Sequence, residues 1–192
     1  LLIPKSKEQV IKSVEVCKEN KIPFYLIGNG SNILVRDGGF RGVVISLKEV
    51  NTIIVDGDKI EAECGAMLKA VSDKAMENSL TGFEFACGIP GTIGGAVFMN
   101  AGAYDGEIAH VIESAEIIDE ECNIVRLSNK DLDFGYRSSI VMKKGYTVLS
   151  AVFKLEKGQV KTIKELVDDL TNKRESKQPL EYPSAGSTFK RP

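Results

Sequence analysis

The sequence has no tryptophan, only one histidine, and no C-x-x-C pair among its four cysteines. Cys17, Cys64, Cys87 and Cys122 lie far apart, which favours free thiols over a disulfide framework or a zinc site. Serine–histidine or cysteine–histidine catalysis could use only His110. We therefore expect no metal site, and we interpret His110 as a structural residue.

Long apolar runs and an excess of one charge are also missing. No run approaches the roughly 18–20 apolar residues that span a bilayer, and the first residues do not resemble a signal peptide. The 25 basic and 27 acidic residues give a net charge of −2, which predicts neither a nucleic-acid nor a membrane partner. We expect a cytoplasmic monomer. Because the sequence starts without methionine and stops inside a motif, we interpret it as a longer protein truncated at both ends.

The spacing of apolar residues predicts a mixed α/β and α+β fold. Ser6 and Gln9 form a capping-box pattern that predicts a helix before Pro23. Short apolar runs predict strands at residues 1–3, 24–27, 33–35 and 43–45. This strand–helix–strand pattern defines a small α/β unit over residues 1–47.

A larger α+β unit is predicted over residues 48–157. Asp56-Gly57-Asp58 separates two apolar runs and predicts a hairpin. Helices are predicted over about 67–78 and 93–101, and strands over 115–118, 124–127 and 146–155. A charged helix over about 160–176 then opens a third unit, residues 158–192.

Glycine is abundant, with 18 residues, and two segments concentrate it. Gly28–Asn32 reads GNGSN, and Gly88–Tyr104 reads GIPGTIGGAVFMNAGAY with five glycines. Such segments can offer backbone N–H groups to an anion, and a helix that starts after Thr92 would offer more. Neither segment is a P-loop or a complete G-x-G-x-x-G motif. Tight turns and close packing are the alternative reading, but together the two segments predict an elongated ligand with a pyrophosphate.

The two glycine segments, followed by GYRSSI at Gly135–Ile140 and QPLEYPSAGSTFKRP at Gln178–Pro192, resemble the UDP-N-acetylenolpyruvoylglucosamine reductase (MurB) family in its compact subtype. The resemblance implies an FAD-binding fold of the vanillyl-alcohol oxidase type, with two FAD-binding subdomains and the start of a substrate domain. It implies non-covalent FAD, bound by Gly28, Asn29, Gly30, Ser31, Asn32, Gly88, Ile89, Pro90, Gly91, Thr92, Gly94, Gly95, Ala96, Asn100, Gly102 and Ala103.

The family reaction implied by the resemblance is a reduction in peptidoglycan precursor synthesis. NADPH reduces the FAD, whose N5 delivers hydride to C3 of UDP-N-acetylglucosamine enolpyruvate. Protonation of C2 then gives UDP-N-acetylmuramate. The chemistry needs a cation near the substrate carboxylate and a proton source at C2.

The resemblance assigns these roles to named residues. Arg137 would stabilise the enolate-like intermediate, because a guanidinium can hold a carboxylate with two parallel hydrogen bonds. Ser187 would protonate C2, with Ser184 as the competing candidate. Substrate binding would involve Tyr136, Arg137, Ser187, Lys190 and Arg191.

Other readings stay open at this point. Arg137 alone could form a surface salt bridge, and Ser187 could be a turn residue. The family's third catalytic residue, a glutamate, has no matching segment in this sequence. The whole chain could instead be another oxidoreductase of the same fold, acting on an alcohol or a lactone, or a nucleotide-binding module without enzymatic activity.

Overall fold

A computed structural model describes residues 1–177 of the chain, and its helices agree with the main helical patterns of the sequence. Six α-helices lie in this range: α1 (Lys7–Glu19), α2 (Leu68–Glu77), α3 (Ile93–Met99), α4 (Ile108–Val111), α5 (Ile140–Lys144) and α6 (Val160–Lys177). The predicted helices at 67–78, 93–101 and 160–176 are confirmed within a few residues at their ends. The very short α4 and α5 were not predicted.

Eleven short strands lie in the same range. They are β1 (Phe24–Ile27), β2 (Val43–Ser46), β3 (Ile53–Asp56), β4 (Lys59–Glu63), β5 (Leu80–Thr81), β6 (Gly102–Ala103), β7 (Gly106–Glu107), β8 (Ile112–Ile118), β9 (Ile124–Ser128), β10 (Thr147–Lys154) and β11 (Glu156–Lys157). Mixed helix and sheet confirms the predicted fold class.

The first part of the chain is a helix on a small parallel sheet. β1 pairs with β2 in parallel, and Ser6 caps α1 by accepting a hydrogen bond from the Gln9 N–H. The predicted strand at residues 1–3 is reduced to a single bridge between Leu2 and Ile45. The predicted strand at 33–35 is wrong: this segment is irregular, and Leu34 is 96% exposed. It has no neighbouring strand to complete its hydrogen bonds.

A five-stranded antiparallel sheet forms the second part, in the order β3-β4-β10-β8-β9. The predicted hairpin is confirmed, with Asp56 opposite Lys59 across its turn. Ile60, Ile117 and Phe153 are fully buried and belong to one core cluster that also contains Ile45 of β2. α3 packs on β10 and β4, which places the second glycine segment between the sheet and the first part of the chain.

Two lysine side chains of helix α1 also bind the five-stranded sheet. Lys7 Nζ lies 3.1 Å from Glu116 Oε1 and 2.9 Å from Ser150 Oγ. Lys18 Nζ donates to the Asp119 carbonyl at 2.8 Å. These contacts join α1 to the five-stranded sheet, and the two parts of the chain also share one core cluster. The predicted unit boundaries at 47 and 157 remain predictions.

Helix α6 covers the start of the second glycine segment. The helix buries Ile163 and Leu170 and packs against the 3₁₀ turn Glu84–Ala86 and α2, and β11 pairs with β5. Within residues 158–177, the chain therefore packs against the larger part of the fold. That this segment opens a third unit remains a prediction.

Candidate active site

The two glycine segments meet in the structure. β1 ends at Ile27, and the chain turns at once into Gly28, whose α-carbon is so close to Thr92 that a Cβ would overlap the threonine hydroxyl. The Asn29 Nδ2 donates to the Pro90 carbonyl at 2.8 Å. The sequence prediction that both segments serve one ligand therefore has a geometric basis, because they share one seam, defined here by Gly28, Asn29, Pro90 and Thr92.

Backbone N–H groups at this seam are available to a ligand. Within residues 1–177, no hydrogen bond uses the N–H of any residue from Gly28 to Asn32. The same holds for the N–H groups of Gly91, Thr92 and Gly95 in the second segment. Several unpaired N–H groups on neighbouring loops form the kind of concave donor set that binds phosphates. The residues present therefore fit the pyrophosphate of a dinucleotide.

The beginning of α3 differs in one respect from the sequence prediction. The N–H groups of Ile93 and Gly94 donate to the carbonyls of Ala66 and Cys64, at 2.9 and 2.8 Å. A Cβ on Gly94 would lie only 3.1 Å from Cys64 Cβ and from its carbonyl oxygen, so this glycine permits close packing on the end of β4. The helix N-terminus thus offers fewer free donors than expected. The assignment of Gly94 to the cofactor stays a prediction.

The motif GYRSSI forms a tight turn against the end of α3. Gly135 and Ser138 exchange two backbone hydrogen bonds of 3.0 and 3.1 Å. Ser139 is fully buried, caps α5, and donates from its hydroxyl to the Phe98 carbonyl at 2.7 Å. Ser139 was not predicted to belong to the site, although a serine directly before the apolar IVM is a recognisable helix N-cap signal.

Arg137 projects from this turn toward the second glycine segment. Its Nη1 donates to the Asn100 carbonyl at 3.3 Å, and its Nη2 donates to the Gly102 carbonyl at 2.9 Å. The guanidinium also lies 5.3 Å from the ring centre of Tyr136, which is 53% exposed. The structure therefore brings Tyr136 and Arg137 together with the predicted cofactor segment, and no salt bridge within residues 1–177 involves Arg137.

The backbone at Arg137 is unusual. Its φ is +54°, in the left-handed region that non-glycine residues seldom occupy. Such a conformation persists only where the surrounding structure enforces it, and it is concentrated at functional sites. Seven other non-glycine residues of the described range have a positive φ as well, so the contacts of Arg137, rather than its φ alone, support a functional role.

Cys64, Cys87 and His110 make no hydrogen bond or salt bridge with Arg137 or Tyr136. Burial raises the pKa of the Cys64 thiol to about 12, so Cys64 stays protonated. Cys87 is buried below α6, with its Sγ 3.9 Å from Thr171 Oγ1. His110 has a 60% exposed side chain, 3.8 Å from Glu107 Oε1. No group of three potential metal ligands occurs within residues 1–177.

Ser184, Ser187, Lys190 and Arg191 lie outside the described residues. Their predicted roles in protonation and diphosphate binding therefore remain predictions. The helices of residues 1–177 include none that is long and apolar enough to cross a membrane.

Comparison with known proteins first defines the class. The family model described as "FAD binding domain" matches residues 1–128, so the chain is a member of a family of FAD-binding domains. The fold agrees: 6-hydroxy-D-nicotine oxidase from Arthrobacter nicotinovorans superposes with a TM-score of 0.61 over 81% of this chain and 36% of its own, at 18% identity.

Closer relatives define the particular family. A UDP-N-acetylenolpyruvoylglucosamine reductase from Clostridium perfringens is 62% identical over all 192 residues, and one from Clostridium beijerinckii is 63% identical. The MurB structure from Thermus caldophilus superposes with a TM-score of 0.85 at 31% identity, covering 99% of this chain and 67% of its own. The chain belongs to the UDP-N-acetylenolpyruvoylglucosamine reductase (MurB) family. It spans 63% of the length of the curated relatives it matches.

Proposed function

We propose that the protein containing this chain reduces UDP-N-acetylglucosamine enolpyruvate to UDP-N-acetylmuramate, with NADPH as the reductant and non-covalent FAD as the cofactor. The observation that carries this proposal is the hydrogen bonding of Arg137 to the second glycine segment. Arg137, the arginine of the GYRSSI motif, thus lies beside the backbone that would hold the cofactor. When bound, FAD supplies hydride obtained from NADPH.

The seam between the glycine segments would hold the pyrophosphate. Its donors are backbone N–H groups, which carry no net charge and are fixed by the fold before the ligand arrives. Contacts between the segments, such as the Asn29 side chain on the Pro90 carbonyl, keep the two donor sets at a constant separation. A preformed site of this kind loses little conformational entropy when the pyrophosphate binds.

Arg137 would bind the substrate carboxylate and stabilise the negative charge that develops there. A guanidinium has five N–H donors, and two of its hydrogen bonds here go to main-chain carbonyls. The remaining donors suit a carboxylate, which accepts two parallel bonds. Tyr136, exposed beside it, would contact the same substrate.

Protonation at C2 is assigned to Ser187, and diphosphate binding to Lys190 and Arg191, by family resemblance. An unperturbed hydroxyl is a weak acid, so Ser187 needs a neighbour or a water molecule to relay the proton. We further propose that the protein acts as a monomer in the cytoplasm, where NADPH and nucleotide sugars are found. The small net charge of −2 supports the absence of a nucleic-acid partner.

The test separates the two half-reactions of the purified natural protein. We expect flavin absorbance, anaerobic bleaching by NADPH, and reoxidation by UDP-N-acetylglucosamine enolpyruvate. Arg137→Ala should bleach at a normal rate and reoxidise about 10²-fold more slowly, the scale of a lost electrostatic contact to the transition state. Lys130→Ala serves as a control, because Lys130 is exposed and lies outside the turn.

Two results would contradict the proposal and identify its alternatives. A protein that never binds flavin would be a nucleotide-binding module. A flavoprotein that is reoxidised no faster with the enolpyruvyl sugar than without it, and is reduced by an alcohol or a lactone, would be a different oxidoreductase of the same fold.

A further inference from the structure

Asn100 sits where the second glycine segment meets the Arg137 turn. It is fully buried and ends α3 with a left-handed backbone, at φ +46°. Its Nδ2 donates to the Gly135 carbonyl at 3.2 Å, and its Oδ1 accepts from the Ala109 N–H at 3.0 Å. One side chain thus joins the end of α3, the start of α4 and the turn.

The connection runs in both directions. The Asn100 side chain donates to the turn at Gly135, while the turn donates back from Arg137 to the Asn100 carbonyl. Two more bonds join the turn to the same segment, from Arg137 Nη2 to the Gly102 carbonyl and from the Ser139 hydroxyl to the Phe98 carbonyl. Four hydrogen bonds therefore hold the Arg137 turn against residues 98–102.

The chemistry at position 100 requires an asparagine amide. An aspartate could accept from Ala109 but could not donate to Gly135, and an apolar residue could do neither. Asparagine also tolerates the left-handed backbone better than most residues. Both ends of this buried amide contact the protein, and the backbone N–H and carbonyl of Asn100 also have partners, in Val97 and Arg137. The assignment of Asn100 to the cofactor stays a prediction.

We propose that Asn100 is a positioning residue that fixes Arg137 relative to the cofactor segment. The inference rests on the proposed function, since it assigns Asn100 to the geometry of the same site. Loss of the Nδ2 donor removes one of the hydrogen bonds that hold the turn at Gly135, so the turn shifts or loosens. A displacement of about 1 Å in a substrate-binding group can cost on the order of 10²-fold in rate.

Asn100→Asp is the sharpest test, because it preserves the shape of the side chain and replaces the Nδ2 donor by a carboxylate oxygen, a change of charge that the control shares. Asn129→Asp is a matched control: the Asn129 Nδ2 donates to the carbonyls of Ala109 and Ile112, at 2.8 and 2.7 Å, away from the turn. Both variants are made in the natural protein and compared in their flavin-loaded forms. Reoxidation of Asn100→Asp by the enolpyruvyl sugar should be at least about 10-fold slower than that of Asn129→Asp.

Amide hydrogen exchange gives a readout that does not depend on activity. The amides of residues 133–141 should exchange at least about 10-fold faster in Asn100→Asp than in Asn129→Asp, while those of β10 stay protected in both. Asn100→Gly, which suits the left-handed backbone, should show the same pattern if the aspartate variant does not fold.

Each outcome bears on a different claim. Equal reoxidation rates in the Asn100→Asp and Asn129→Asp variants, or unchanged exchange in the turn, would overturn the positioning role. So would full additivity with Arg137→Lys, because residues that act as a unit give non-additive effects. If the unmodified protein is not reoxidised by the enolpyruvyl sugar, the proposed function fails, and hydrogen exchange still tests the contact.

Discussion

Replacement of Arg137 by glycine should slow reoxidation as much as replacement by alanine does, while giving a more stable protein than the alanine variant. The φ of +54° at this position costs an L-residue about 1–2 kcal/mol, a cost that glycine does not carry. Glycine is opposed by its larger conformational entropy in the unfolded chain, about 0.5–1 kcal/mol relative to alanine. Alanine and glycine both remove the guanidinium and its two hydrogen bonds, so their difference reports the backbone alone.

Alanine usually gives a more stable variant than glycine, and at position 137 we expect the reverse. Arg137→Gly should have a free energy of unfolding about 0.5–1 kcal/mol higher than Arg137→Ala. Ser138 provides the control, because its φ is not in the positive range. There the alanine variant should be the more stable one, by about 0.5–1 kcal/mol. Both Arg137 variants should keep flavin and be reoxidised by the substrate about 10²-fold more slowly than the unmodified protein.

Urea unfolding, followed by circular dichroism, measures the four variants under one condition. If Arg137→Ala is as stable as Arg137→Gly, the backbone at this position is not strained in solution. Function would then not be maintaining an unfavourable backbone conformation at Arg137.

Two further predictions concern the glycine segments and the thiols. Gly28→Ala should lose flavin absorbance, because the added Cβ overlaps the Thr92 hydroxyl. Gly38→Ala in the same loop has open space around its Cβ and should retain the flavin. Equal flavin content in the two variants would refute the role of the seam in cofactor binding. Under native conditions a thiol reagent should modify the partly exposed Cys122 first, while Cys64, which is buried and has a pKa raised to about 12, should react only on unfolding. Rapid loss of Cys64 in peptide mapping would contradict its burial.

The sequence predicted correctly those helices and turns that are specified by residues close together in the chain. Ser6 and Gln9 specify the start of α1, and Asp56-Gly57-Asp58 specifies the β3–β4 turn. The strand at residues 33–35 was predicted wrongly because an apolar run shows strand propensity but not whether a partner strand exists. The helices α4 and α5 contain too few residues to show a helical period.

The same distinction applies to the site. Its glycine segments and Arg137 were found because each motif is continuous in sequence. The bond from Asn100 to Gly135 joins positions 35 residues apart, and nothing local in either segment indicates it. The packing role of Gly94 against Cys64 is likewise a tertiary contact, and the sequence shows only that a glycine is present.

The position of β10 in the sheet has a consequence for synthesis of the chain. This strand, residues 147–154, lies between β4 and β8 and also carries α3. On the ribosome, which releases the chain from its N-terminus, the glycine segments therefore emerge well before the strand that supports them. A fragment that ends at residue 128, where the family match ends, would leave β4 and β8 without their shared neighbour. Until β10 emerges, the two apolar strand edges are open to pairing with other chains.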